Sequence, residues 1–115
     1  MAKLTKETIK SKIPIKRELS DRFILCFKDK LQNGYTFAGL TDRQLKEWQN
    51  FLDIVSQLSF EQVERRYRRE SDTNDTYNGL QVIHYGVGQT FRIHGVIENA
   101  QFVVLRIDPL HSFHK

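Results

Sequence analysis

The sequence predicts an α+β fold, with two helices packed on a mainly antiparallel sheet of four to five strands in the order β-αα-βββ. Three observations predict it. Thr41-x-x-Gln44 and Ser59-x-x-Gln62 fit the capping-box pattern and open two apolar-periodic stretches in mid-chain. Three short strand-like segments with brief connections fill residues 80–107, which makes them antiparallel neighbours. An apolar run, Arg22-Phe23-Ile24-Leu25-Cys26-Phe27-Lys28, precedes the helices and has the length and Phe/Ile content of a buried strand.

Taken in order, residues 1–19 form a basic leader, with a short helix from Thr5 to Lys12 that stops before Pro14. Residues 20–115 form one domain. Asn33-Gly34 is a turn signal after the first strand, and Tyr35-Thr36-Phe37 returns as a second, so residues 22–38 read as a hairpin. In the first helix Leu45, Trp48, Leu52 and Val55 recur at spacings of three and four, broadened by Phe51, Ile54 and Leu58. That is a core-facing helix of roughly 17 residues. The second helix runs from about Phe60 to Glu70, with Phe60, Val63 and Tyr67 inward. Glu70 to Gly79 is a polar loop without apolar period, and the strands are Leu80–Tyr85, Thr90–Ile97 and Phe102–Ile107, closed by Asp108-Pro109. The helices are expected to cover one sheet face and leave the other at least partly wet.

At 115 residues the chain has the size of one domain and can bury a core without disulfides or metal. Cys26, the single cysteine, reads as a core thiol. No apolar run approaches the ~18 residues of a membrane span, and the start lacks a signal-peptide stretch, so the expected compartment is cytoplasmic. The net charge of +4 is uneven: residues 1–17 carry six basic groups against Glu7 alone, while the rest is near neutral. A cationic arm of this kind, with Lys12, Lys16 and Arg17, suits a polyanion or an acidic partner, or is simply solvated. Arg65, Arg68 and Arg69 add cationic positions on the second helix, offset by the i, i+4 pairs Glu61–Arg65 and Glu64–Arg68.

The chemistry-bearing residues gather on the last hairpin. Arg92 and His94 share one strand face, Arg106 lies on the next strand, and His111 and His114 follow in the tail. Guanidinium forks match phosphate oxygens, and imidazoles exchange protons near neutral pH. Such a set could neutralise a phosphodiester and move a proton during its cleavage, with a 2′-hydroxyl as nucleophile and no metal. The strand register bears on this. With a turn centred between Asn99 and Ala100, Ile97 opposes Phe102, Gly95 opposes Val104 and Ile93 opposes Arg106, which turns Arg106 toward the apolar face. A one-residue slip would group Arg106 with Arg92 and His94 instead. His111-x-x-His114 with Asp108 falls short of a convergent zinc set, so neither a metal nor a small-molecule cofactor is expected.

The segment Phe91-Arg92-Ile93-His94-Gly95-Val96-Ile97, the turn, Phe102-Val103-Val104-Leu105-Arg106-Ile107 and the His-containing tail resemble the end of RelE/ParE-superfamily toxins. The likeness of element order extends over about residues 20–115. It implies a toxin-like RNA endonuclease of a toxin–antitoxin or defence system, with RNA or the ribosome as target and an antitoxin protein as companion. By position, Arg92 would stabilise the phosphate and His111 or His114 would act on a proton, with Arg106 beside them. Phe113 stands where many members have a tyrosine, and Glu64 and Glu70 are the carboxylates available as general base. The text Arg92-x-His94-Gly95, Phe102, Val104-Leu105, Asp108-Pro109-x-His111 is also similar to the ends of small bacterial proteins of unassigned function. The alternative function is a non-catalytic module that binds nucleic acid or protein.

Overall fold

The computed structural model describes residues 21–113. Nine elements follow one another: β1 (Leu25–Cys26), α1 (Asp42–Val55), α2 (Phe60–Tyr67), β2 (Arg68–Arg69), β3 (Thr76–Tyr77), β4 (Leu80–Gln81), β5 (Ile83–Gly86), β6 (Arg92–Glu98) and β7 (Gln101–Asp108). A five-stranded mixed sheet runs β1-β7-β6-β5-β2, and β3-β4 form a separate two-stranded ribbon. The α+β class holds. Only β1 is parallel to its neighbour, β7; the other pairings in the sheet are antiparallel.

Both capping boxes form. Thr41 Oγ1 accepts from Gln44 N at 3.2 Å and Gln44 Oε1 accepts from Thr41 N at 2.9 Å, and Ser59 and Gln62 repeat the pattern. Phe51 and Val55 of α1 and Val63 and Tyr67 of α2 are buried against Tyr85, Ile93, Phe102, Val104 and Ile107. Leu45 is an exception to the expected stripe: it lies at the first turn of α1 and remains 46% exposed.

The chain departs from expectation where tertiary pairing outcompetes local pattern. The N-terminal hairpin does not form. Asn33-Gly34 is a turn, but the returning chain docks on β7 instead: Gln32 N donates to Leu105 O and Ile107 N donates to Tyr35 O. The second helix stops at Tyr67, because Arg68 turns extended and β2 pairs with Tyr85 and His84 of β5. The strand expected over residues 80–85 breaks at Val82, whose N–H goes to Asp75 O. Within the supposed polar loop, Asn78 and Gly79 both take positive φ and join β3 to β4 as a tight turn.

The ribbon changes the second sheet face. Val82, Val96, Val103 and Leu105 form a small second core there, with Tyr77, Leu80 and Cys26 packed against it. That part of the face is covered while the part bearing Arg69 and His84 opens to a cleft, and Cys26 is half-buried at the covered margin. Tyr77 Oη donates to Asp29 Oδ2, fastening the ribbon to the chain beyond β1. Among the described residues no helix is long and apolar enough to cross a membrane.

Candidate functional site

The register of β6 and β7 resolves the sequence conflict by a β-bulge. Ile97 opposes Phe102 and Gly95 opposes Val104, as the simple turn predicts. The pairing then shifts, leaving Leu105 without a Cα partner, and His94 opposes Arg106 while Arg92 opposes Asp108. One extra residue moves every later side chain of β7 to the other face. Leu105 and Arg106 therefore both lie on the second face, and the polar grouping of Arg92, His94 and Arg106 is formed.

Two cross-strand rows result. The first runs Arg69–His84–His94–Arg106 over β2, β5, β6 and β7; the second runs Gly86–Arg92–Asp108. His84 and His94 are buried and stack face to face, with ring centroids 3.6 Å apart and planes 6° from parallel.

Arg106 is enclosed. Its Nη1 and Nη2 donate to the two oxygens of Asp75 at 2.9 and 3.1 Å, its Nε donates to Gln32 Oε1 at 2.8 Å, and the Phe113 ring covers it at 3.7 Å. Arg106 Nη1 also meets His94 Nδ1 at 3.0 Å. Because a guanidinium only donates, Nδ1 must accept, which places the His94 proton on Nε2, facing Asp108 Oδ2 at 3.6 Å. Asp108 in turn accepts from Ser112 N, Ser112 Oγ and Phe113 N, and so folds the C-terminal turn back over the sheet. Arg106 and His94 thus bind three chain segments together. Their forks and ring nitrogens are turned to the protein, so the structure gives them a scaffolding position.

Arg92 is half-buried. Its Nη1 donates to the carbonyls of Gly88, Gln89 and Phe91 at 2.9–3.3 Å, anchoring it to the β5–β6 turn. Burial chiefly, and the nearby Arg69 guanidinium next, lower its pKa, while Asp108 raises it. His111 sits at positive φ, after Pro109 and Leu110, and lines an open cleft of about 500 Å³ together with His84, Glu70, Ser71 and Asp72. Among the described residues no cluster of His, Cys, Asp and Glu has the arrangement of a metal site.

The helical arginines separate. Arg65 pairs with Glu61 at 3.1 Å and Arg68 with Glu64 at 2.7 Å, whereas Arg69, beside Arg68 on β2, has no carboxylate partner among the described residues. Glu64 also accepts from Tyr85 Oη, and that bond together with burial raises the Tyr85 pKa strongly, burial being the larger cause. Of the two candidate carboxylates, Glu64 is therefore engaged and Glu70 faces the cleft. Lys12, Lys16, Arg17 and His114 lie outside the described residues.

His84 and Asp75 are the residues that the sequence did not single out. His84 could have been found by noting that it alternates with Ile83 and Tyr85, which puts it on the His94 face. Asp75 had no sequence signal, since only the folded ribbon brings it to Arg106. Comparison with protein-family models, curated proteins and solved structures yields no match for this chain.

Proposed function

We propose that this protein is a toxin-like, metal-independent RNA endonuclease whose proton transfers occur at the His84/His111 cleft. The observation that carries the reading is that His84, His111 and Glu70 line one open cleft. It lies at the end of a sheet face that also bears Arg69 and Arg92. One group at the cleft accepts the 2′-hydroxyl proton, and the new 2′-oxygen–phosphorus bond displaces the 5′-oxygen. The 5′-oxygen leaves with a proton from His111, so the products are a 2′,3′-cyclic phosphate and a 5′-hydroxyl. Arg92 is the phosphate-stabilising group. Arg106, expected as catalytic from the sequence, is reassigned to holding the floor. A cognate antitoxin protein is the companion that this reading anticipates.

The burial of His94 and Arg106 favours a second reading, a nucleic-acid- or protein-binding module without turnover. Incubation of the purified chain with RNA decides between them. The nuclease reading expects cleavage with cyclic-phosphate ends, lost about 100-fold or more in His111→Ala while RNA binding is kept. Salt-sensitive binding without cleavage supports the module. Absence of both, with normal growth on strong expression, removes the nuclease reading.

A further inference from the structure

Arg69 leaves β2 beside His84 and does not stay in that row. Its head lies over Gly86: a Cβ placed on Gly86 would stand 2.9 Å from Arg69 Nε and 3.1 Å from Cζ and Nη2. Gly86 is the direct partner of Arg92, and the two strands are adjacent. The side chain missing from Gly86 is the space through which one arginine reaches the other. Each head is pinned to backbone through one nitrogen: Arg69 Nη1 to the carbonyls of Arg68 and Arg66, and Arg92 Nη1 to those of the β5–β6 turn. Among the described residues Nε and Nη2 of the exposed Arg69 and Nη2 of Arg92 have no protein acceptor, while Arg92 Nε is buried without one. No carboxylate forms an ion pair with either arginine there. Asp108, which acts on Arg92 through its charge, accepts hydrogen bonds from Ser112 and Phe113.

Two fixed guanidiniums of like charge repel, and among the described residues Asp108, opposite Arg92, is the carboxylate that offsets part of that cost without forming an ion pair with either. We propose that Arg69 and Arg92, brought together across Gly86, form a two-arginine clamp for one phosphodiester group of a single-stranded RNA. Planar forks recognise phosphate oxygens in pairs, and the burial that lowers the Arg92 pKa strengthens its attraction for an anion. The inference rests on the nuclease reading for the identity of the strand. The clamp itself would serve the binding-module reading equally.

The test uses the full chain and a fluorescent 2′-O-methyl RNA hexamer, which cannot be cleaved, with inorganic phosphate as competitor. Arg69→Gln and Arg92→Gln should each weaken hexamer binding at least tenfold, and the double variant little more than either, since both heads hold one group. Gly86→Ala is the sharper probe, because it keeps both charges and only closes the passage; it too should weaken binding about tenfold. Lys46→Ala, an exposed cation on α1, should change nothing. Should Gly86→Ala fail to fold, Arg69→Gln at an exposed position carries the test alone. Binding unchanged in Arg69→Gln, or weakened equally in Lys46→Ala, overturns the clamp. Arg69-dependent hexamer binding without cleavage of ordinary RNA keeps the clamp and rejects the nuclease. Cleavage indifferent to Arg69 does the reverse.

Discussion

Removal of the Asp75 carboxylate should be the most damaging single change near the candidate site, though Asp75 is not among the residues that line the His84/His111 cleft. The Arg106 side chain is 9% exposed and that of Asp75 12%, and they meet through two nearly parallel hydrogen bonds. In Asp75→Ala the guanidinium keeps Gln32, His94 and the Phe113 ring but loses its one ion-pair partner among the described residues. Breaking one side of a buried pair costs about 3–5 kcal/mol. The residual exposure of both partners argues for the lower end, about 3 kcal/mol, a large share of the 5–15 kcal/mol typical of a domain. At about 4–8 °C per kcal/mol for a domain of this size, the melting temperature should fall by at least about 12 °C.

Urea unfolding followed by the fluorescence of Trp48, which stacks on Phe51 and Phe91 in the core, would measure the loss as a shift of midpoint at constant slope. Arg106→Met should cost a similar amount, since it strands the carboxylate. The double variant Asp75→Ala/Arg106→Met should cost at least about 2 kcal/mol less than the sum of the single changes. A loss under about 1 kcal/mol for Asp75→Ala, with additive effects in the double variant, would refute the scaffolding position of Arg106.

Three other outcomes are expected. Gly95→Ala should destabilise by about 2 kcal/mol or more in chemical denaturation, because the new Cβ would stand 2.2 Å from the Val103 carbonyl and 2.8 Å from the Phe102 ring. Ala100→Gly should raise stability by about 0.5–1 kcal/mol, since Asn99 and Ala100 both take positive φ in the β6–β7 turn; an unchanged melt would contradict that. Tyr85 stays protonated in the fold at a pH where the unfolded chain releases its proton. Its contribution is complete below about pH 10 and declines by about 1.4 kcal/mol per pH unit above it. Tyr85→Phe should show a shallower alkaline decline in urea melts between about pH 9 and 11, and parallel curves would count against the assignment.

Features built from neighbouring residues were legible in the sequence. The two capping boxes join residues three apart, and the Phe102–Val104 register follows from the turn at Asn99-Ala100. Tyr67 is the last residue of α2 and Arg68 already turns extended to pair with β5, and no local pattern marks that change. Asn78-Gly79 carried a hairpin signal, but its flanking strands are two residues each and too short for alternation to show.

By itself the sequence determined the α+β class, the helix starts, the three-stranded antiparallel end, and the shared strand face of Arg92 and His94, while it left Arg106 between two registers. Tertiary structure alone decided what those three residues do. The bulge at Leu105 set Arg106 on the second face, and Asp75, 31 residues away, then claimed its guanidinium. The ribbon closed over half of that face, and the missing side chain of Gly86 gave Arg69 its path to Arg92. Local rules fix what each residue prefers. Which charges are neutralised inside the protein and which still seek a partner depends on segments distant in the chain, and only their packing settles it.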